Sequence, residues 1–442
     1  MKPLTDTAFY SELESKFPHV PTLKQEIALQ KLATFILSKV KEEVFLLKGF
    51  AGTGKTTLIG TLVNSLWKTR MKSVLMAPTG RAAKVMSNYS KTQAFTIHRK
   101  IYFPKKQSGG GVQFVLAPNK HRDTIFIVDE ASMIPDTPAD SKLFENGSLL
   151  DDLMMFVYSG HNCKLLLIGD TAQLPPVHLQ LSPALDGDKL SLNYNKEVVR
   201  LELDEVVRQA EDSGILVNAT LLREQLQGDF YDNFKFDVSS YQDIVRLIDG
   251  HEIQEAIDES YSQNGKEETA IIVRSNKRAN LYNLNIRERI LFLENELATG
   301  DFMMVVKNNY FWLKPNSEAG FIANGDIIEI LEIFAFKDLY GFKFAEVKVQ
   351  MVDYPNMKPF ETVLLLDTIK AESPSLSYEE GNRLYQEVMK DFDHEIDDQF
   401  DDYMDEEQFD ERNKDKDKLN ISDSITKAKS IEPKTNMTNS KN

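Results

Sequence analysis

Cysteine occurs once in this chain, at Cys163, and tryptophan only twice. A single cysteine excludes an intramolecular disulfide and any cysteine zinc cluster. No apolar run approaches the roughly 18 residues of a membrane-spanning helix. The opening stretch Met1-Lys2-Pro3-Leu4-Thr5-Asp6 has no signal-peptide apolar core, so a cytoplasmic location is expected. Net positive charge is missing too: 52 Lys and Arg stand against 68 Asp and Glu, giving −16. That argues against a wholly basic nucleic-acid binder. What is plentiful is apolar residue, 42% of 442 positions, enough to build globular cores and to exclude wholesale disorder.

The acidity is local. Residues 391–411 hold twelve Asp and Glu and no Lys or Arg, whereas 412–442 carry +4. Setting both aside leaves residues 1–390 at −8, so a basic groove in the body remains open. In the acidic stretch, Phe392, Ile396, Phe400, Met404 and Phe409 recur every four or five residues, which predicts an acidic amphipathic helix. The last thirty residues, rich in Lys, Ser, Asn and Thr, read as a disordered tail.

Periodicity predicts a helix over 21–40, capped by Thr22. Short, continuous apolar runs at Val44–Leu47, Ser73–Ala77, Ile125–Val128 and Leu165–Ile168 read as strands separated by helical stretches, among them 57–67. That is the pattern of an α/β domain with a mainly parallel sheet. Within it, β-like runs at 101–103 and 112–116 flank three glycines, predicting a hairpin over 100–123. A second α/β region is expected near 195, with a strand at Ala270–Val273. Close-spaced strands from 300 to 369 suggest a small β-barrel.

Gly49-Phe50-Ala51-Gly52-Thr53-Gly54-Lys55-Thr56 satisfies the phosphate-loop pattern between a strand and a helix. Its glycines turn backbone N–H groups toward phosphate oxygens, Lys55 adds a point charge, and Thr56 can ligate Mg²⁺. Gly49, Gly52, Thr53, Gly54, Lys55, Thr56 and Thr57 are therefore candidate nucleotide contacts. Asp129-Glu130 closes the strand Ile125–Val128. One carboxylate there can hold the metal shell while its neighbour activates the attacking water.

Several further stretches are ordered around these: Ala77-Pro78-Thr79-Gly80-Arg81, Thr96-Ile97-His98-Arg99, Asp129-Glu130-Ala131-Ser132, and Gly169-Asp170-Thr171-Ala172-Gln173-Leu174-Pro175-Pro176. Together they resemble superfamily 1 DNA helicases of the RecD-like and Dda-like branch, over roughly residues 20–370. The resemblance implies a phosphate-loop RecA-like α/β motor domain, then a second, incomplete RecA-like domain with an SH3-like β-barrel insert. The boundaries expected are 1–190 for the first domain, 191–299 for the second and 300–370 for the insert. An acidic helical segment follows over 371–412, then the tail.

It implies roles as well. Gln25 resembles the glutamine that reads adenine, Gln173 the one that links γ-phosphate to DNA, and Arg208 the arginine finger. Pro78, Thr79, Arg81, Thr96 and His98 match strand-contacting motifs, and Arg274 and Asn276 match those of the second motor domain. The 100–123 hairpin resembles the duplex-splitting pin. ATP and Mg²⁺ are the implied cofactors. Single-stranded DNA and single-/double-strand junctions are the implied partners, with the protein acting as a monomer in DNA repair or recombination. The implied activity is 5′-to-3′ unwinding. The branch's Thr-x-His-x-x-Gln-Gly and Thr-Arg stretches do not occur in 370–442, so a truncated, weakened motor is expected. A non-motor, nucleotide-dependent DNA-binding or regulatory protein is the alternative.

Overall fold

The computed structural model describes residues 4–106, 112–137, 148–176, 179–205, 213–226, 235–293, 295–306, 309, 312–313, 317, 319, 322, 324–369 and 376–390. The chain order begins α1 (Asp6–Lys16), α2 (Leu23–Leu37), β1 (Glu43–Gly49), α3 (Lys55–Ser65), β2 (Lys72–Ala77), α4 (Gly80–Ser90), β3 (Ala94–Thr96), α5 (Ile97–Ile101), β4 (Tyr102–Lys106), β5 (Val112–Leu116) and β6 (Arg122–Val128). It continues with α6 (Leu149–Ser159), β7 (His161–Gly169), α7 (Gly187–Tyr194), β8 (Glu197–Leu203), α8 (Gly214–Leu226), α9 (Gly250–Glu268) and α10 (Asn276–Arg289). Last come β9 (Phe302–Met304), β10 (Ile327–Leu339), β11 (Phe342–Met351), β12 (Phe360–Leu365) and α11 (Tyr378–Lys390). Two compact units, Met1–Glu255 and Ala256–Asn442, divide within α9.

The first unit is built on a six-stranded parallel sheet in the order β3-β2-β6-β7-β1-β8. Its inner strands are apolar on both faces because helices cover both. Alternate side chains serve alternate layers. Phe45, Leu47, Leu75, Ile125, Ile127, Leu166 and Ile168 pack with α1 to α4. Val44, Leu46, Met76, Phe126, Val128, Leu165 and Leu167 pack with α5 and α6. Cys163 is a buried member of the second layer, as a small core residue should be. Lys164, the next residue on β7, is buried on the opposite face, where its Nζ donates to Glu43 Oε2 at 3.0 Å and lies 4.7 Å from the ring centre of Phe35 in the first layer.

The α/β expectation and the parallel sheet hold. So does the two-stranded hairpin, with Tyr102 opposite Leu116 and Lys106 opposite Val112, although its turn at 107–111 lies outside the described residues. The sixth strand, β8, extends the first sheet beyond residue 190, the boundary expected from sequence. Its exposed and half-exposed positions hid an edge-strand role.

Ala270–Val273 corrects the reading. It is not a strand, and among the described residues between 204 and 299 there is none. Ile272 is 96% exposed. The run has the residue types of a strand but pairs with no strand among the described residues, and backbone groups pair with water when no ladder exists.

In the second unit, β9 to β12 form an antiparallel sheet in the order β12-β11-β10-β9. Ile328, Ile330, Val347, Val349 and Met351 make its core. No fourth-to-first strand pairing closes it among the described residues. Of the acidic segment expected over 371–412, residues 378–390 are helical as α11. The stripe at 391–411 and the tail lie outside the described residues. Among those described, no helix is long and apolar enough to cross a membrane.

Candidate functional site

Every motif of the first unit lies where a strand of the parallel sheet ends. The phosphate loop follows β1, Pro78 and Thr79 follow β2, Asp129 and Glu130 follow β6, and Asp170 to Gln173 follow β7. The carboxyl edge of an open parallel sheet is where α/β folds bind ligands.

In the loop, Gly54 has φ +87°, a backbone that L side chains rarely adopt, and a Cβ there would sit 2.4 Å from Gln25 Nε2. Glycine is thus required twice over. Lys55 opens α3, and its Nζ donates to the carbonyls of Gly49 at 2.6 Å and Phe50 at 2.9 Å. The ammonium lies over the loop's own ring of backbone, where a phosphate would offer better oxygens. Burial pushes its pKa down, and the Asp170, Asp129 and Glu130 charges oppose that. Thr53 turns inward, its hydroxyl donating to Phe50 O at 2.8 Å. Thr56 is exposed and Thr57 half-buried on the first turn of α3.

Gln25 is buried at 4% exposure and belongs to the α2 capping box. Its Oε1 accepts from Thr22 N at 3.1 Å, and its Nε2 donates to Thr53 O at 3.0 Å. One lone pair and one amide hydrogen remain for a base edge. The residue therefore ties the helix cap to the phosphate loop.

At the end of β6, Asp129 Oδ1 accepts from Glu130 N at 2.9 Å and Oδ2 accepts from Tyr89 O–H, also at 2.9 Å. Glu130 sits at φ +54°, a strained position for a non-glycine residue of the kind that gathers at functional sites. Burial, and then the neighbouring Asp129 charge, push its carboxyl above the usual range. Gln173 Oε1 accepts from Ser132 O–H at 3.1 Å. Asp170 is buried, and its Oδ1 accepts from Ala172 N at 2.8 Å, which fixes the turn that presents Gln173.

These residues fit a nucleotide phosphate with a hard divalent cation. The glycine cradle has the required backbone. Thr56 and Asp129 offer oxygen donors, which is what Mg²⁺ takes. Among the described residues no three His, Cys, Asp or Glu gather to hold a metal alone. A magnesium shared with phosphates needs only one or two protein oxygens.

The strand-contact candidates divide. Thr79 caps α4, accepting from Ala82 N at 3.3 Å, and Arg81 is exposed on the first turn. Thr96 is fully buried and caps α5, accepting from Arg99 N at 3.3 Å. That capping role needs no ligand. His98 is half-buried 5.8 Å from the Tyr102 ring centre, and burial lowers its pKa. Arg274 and Asn276 are exposed at the start of α10 in the second unit. Arg208 lies outside the described residues.

Two residues near the site carried no motif. Tyr89, on α4, bonds Asp129. Arg223, on α8, places its guanidinium 4.8 Å from the ring centre of Phe50 in the phosphate loop. A single Tyr or Arg on a helix gives no spacing signal, so neither was legible before the fold was known.

A protein family described as AAA domain matches residues 30–179. The ATP-dependent DNA helicase dda of Enterobacteria phage T4 is 26% identical over 66% of this chain and 64% of its own. The ATP-dependent RecD2 DNA helicase of Deinococcus radiodurans is 28% identical over 45% of this chain and 24% of its own. A crystal structure of Pif1 helicase from Bacteroides, in complex with ADP-AlF3 and ssDNA, aligns over 78% of this chain and 74% of that one. Its identity is 16% and its TM-score 0.35. The chain thus spans less than two thirds of either helicase relative. The sequence relatives agree with the motifs: this chain is similar to superfamily 1 helicases of the RecD-like and Dda-like branch, and its residues 30–179 match an AAA domain.

Proposed function

We propose that the chain is an ATP-dependent DNA helicase that couples ATP hydrolysis to 5′-to-3′ movement on single-stranded DNA and to duplex unwinding. The observation that carries this reading is one edge of one sheet. The phosphate loop, Asp129-Glu130 and Gln173 meet there, beside the strand-contact loops after β2 and β3.

Each side chain has a part in it. Lys55 exchanges its loop carbonyls for phosphate oxygens. Thr56 and Asp129 would hold Mg²⁺, which would neutralise charge developing on the phosphates. Glu130, its carboxyl raised by burial, accepts a proton from the attacking water. Gln173 carries the state of that site toward DNA through Ser132. Arg208 supplies the planar cation for the transition state, and Gln25 reads the adenine. Pro78, Thr79, Arg81 and His98 line the strand path in the first unit, with Thr96 buried behind them as the cap of α5, and Arg274 and Asn276 line it in the second. We assign α8 to α10 to a second, incomplete RecA-like domain, the 300–370 sheet to an SH3-like insert, and the 100–123 hairpin to the duplex-splitting pin.

The test is strand displacement on duplexes with a 5′ or a 3′ single-stranded tail, with ATPase measured in parallel. Unwinding of only the 5′-tailed duplex is expected. Single-strand affinity should fall with salt at a log–log slope of about −0.7 per phosphate contact. The reading falls if no tailed duplex is unwound and DNA leaves the ATPase rate unchanged.

The absence of a strand among the described residues between 204 and 299 favours a second reading, a nucleotide-dependent DNA-binding protein that does not move. That protein would show nucleotide-sensitive DNA affinity without displacement.

A further inference from the structure

Helix α4 runs from the strand-contact motif to the metal carboxylate. At its start, Thr79 caps it and Arg81 is exposed on the first turn. Near its end stands Tyr89, about 15 Å from Thr79 by helix rise over ten residues. There the Tyr89 carbonyl packs against α3, with Gly60 so close that an added Cβ would sit 3.6 Å from that oxygen. The Tyr89 hydroxyl reaches 40 residues along the chain to Asp129 Oδ2 at 2.9 Å. One residue thus touches both the helix that opens with Lys55-Thr56 and the carboxylate placed on the metal.

An ionised carboxylate has two oxygens and about four acceptor positions. The Glu130 N–H uses one on Oδ1, and the Tyr89 O–H one on Oδ2. With each oxygen pinned from the protein side, the plane of Asp129 is fixed, and its remaining lone pairs keep one direction. Partners that orient a metal ligand in this way are commonly worth 10- to 100-fold in metal affinity.

We propose that Tyr89 is the positioning residue of this site, holding Asp129 in register for the cation and passing to it the displacement of α4 that strand binding produces. The second half rests on the DNA contacts proposed at Thr79 and Arg81. A packed helix moves as a body, so a shift at its first turn moves the Tyr89 hydroxyl against Asp129. Coupling between the strand and the metal-bound nucleotide is then reciprocal.

Tyr89→Phe removes the hydroxyl and keeps the ring packed against the first core layer. The first measurement needs no DNA and no turnover: MgCl₂ is titrated into protein holding a fluorescent ADP analogue, and the midpoint is read for both proteins. The variant should need about tenfold more Mg²⁺. An unchanged midpoint, with unchanged thermal melting, overturns the proposal. The second measurement is single-strand affinity by anisotropy with and without Mg²⁺–nucleotide. The wild-type ratio should collapse toward one in the variant, while affinity without nucleotide stays level. A raised midpoint with an intact ratio overturns the relay. If the wild-type chain binds no single strand, the function proposed above falls, and the Mg²⁺ titration still decides the hold of Tyr89 on Asp129.

Discussion

Residues 4–203 and residues 204–296 use the same kinds of amino acid and reach opposite ends. In the first stretch the sheet's apolar side chains are sorted into two buried layers. In the second, no described residue belongs to any hydrophobic cluster. Val245 is 77% exposed, Ile248 78%, Ile272 96% and Phe292 80%. The difference lies in pairing. Parallel strands give helices a floor to pack on. A helix such as α9 has no buried residue, and the contacts that tie it down are polar ones at its end, Lys266 to Glu329 Oε1 at 2.8 Å and to Gly300 O at 2.9 Å. The sheet of the first unit is therefore pre-formed, while the described helices of 204–296 belong to no hydrophobic cluster.

The largest test of that contrast is a matched pair of truncations. Leu46→Ala, inside the sheet, should cost about 2–5 kcal/mol in urea unfolding. Ile272→Ala, in the exposed run, should change stability by about 0.5 kcal/mol or less. A large cost at Ile272 would mean that the run is buried in solution and that the two regions are not so different.

Next in size is Lys55→Ala. The loop is held by Gln25, Thr53 and its own carbonyls as well, so melting should barely move. Hydrolysis should fall on the order of 10³-fold, about 4 kcal/mol in barrier. Parallel measurement of ATPase rate and melting temperature checks both. A loss of fold together with activity would show that the lysine serves the loop's structure more than its ligand.

This region was the more legible one, for a physical reason. Apolar runs buried on both faces leave a continuous signal, and glycine with positive φ followed by lysine leaves an ordered motif. Hence β1, β2, β6, β7, the phosphate loop and Asp129-Glu130 could be read from sequence. Edge strand β8 was not assigned to this sheet, because half-exposed Glu197-Val198-Val199-Arg200 resembles many surface segments. Tyr89 and Arg223 depend on helix docking, which no spacing encodes. Ala270–Val273 failed in the other direction. Its composition promised a strand, but a strand is a pairing, and the partner is not among the described residues.

A smaller effect separates structure from chemistry within the packed region. Burial raises the Glu130 carboxyl. A general base works only when ionised, so the ATPase rate should fall as pH drops through a value above the ordinary glutamate range of about 4.3. Glu130→Gln should lower the rate about 10²-fold or more and abolish that acid limb. A limb that survives the substitution assigns it to another group.

The smallest expected effect concerns His98, whose pKa burial holds below the ordinary value of about 6.5. The sign follows from proton counts. Between the folded value and 6.5 the unfolded chain carries the proton and the folded chain does not, so stability rises with pH there. The contribution is complete above the unfolded pKa and is lost as pH falls through the folded one. One proton limits the slope to about 1.4 kcal/mol per pH unit. His121 shifts in the same direction, with burial again the first cause, so part of the slope should persist in His98→Gln. Urea unfolding from about pH 7 down to about pH 5, on the wild type and both single Gln variants, separates the two. If His98→Gln leaves the slope at its wild-type value, its imidazole is solvated and within reach of a strand; a flattened slope places it in the packed half of the comparison.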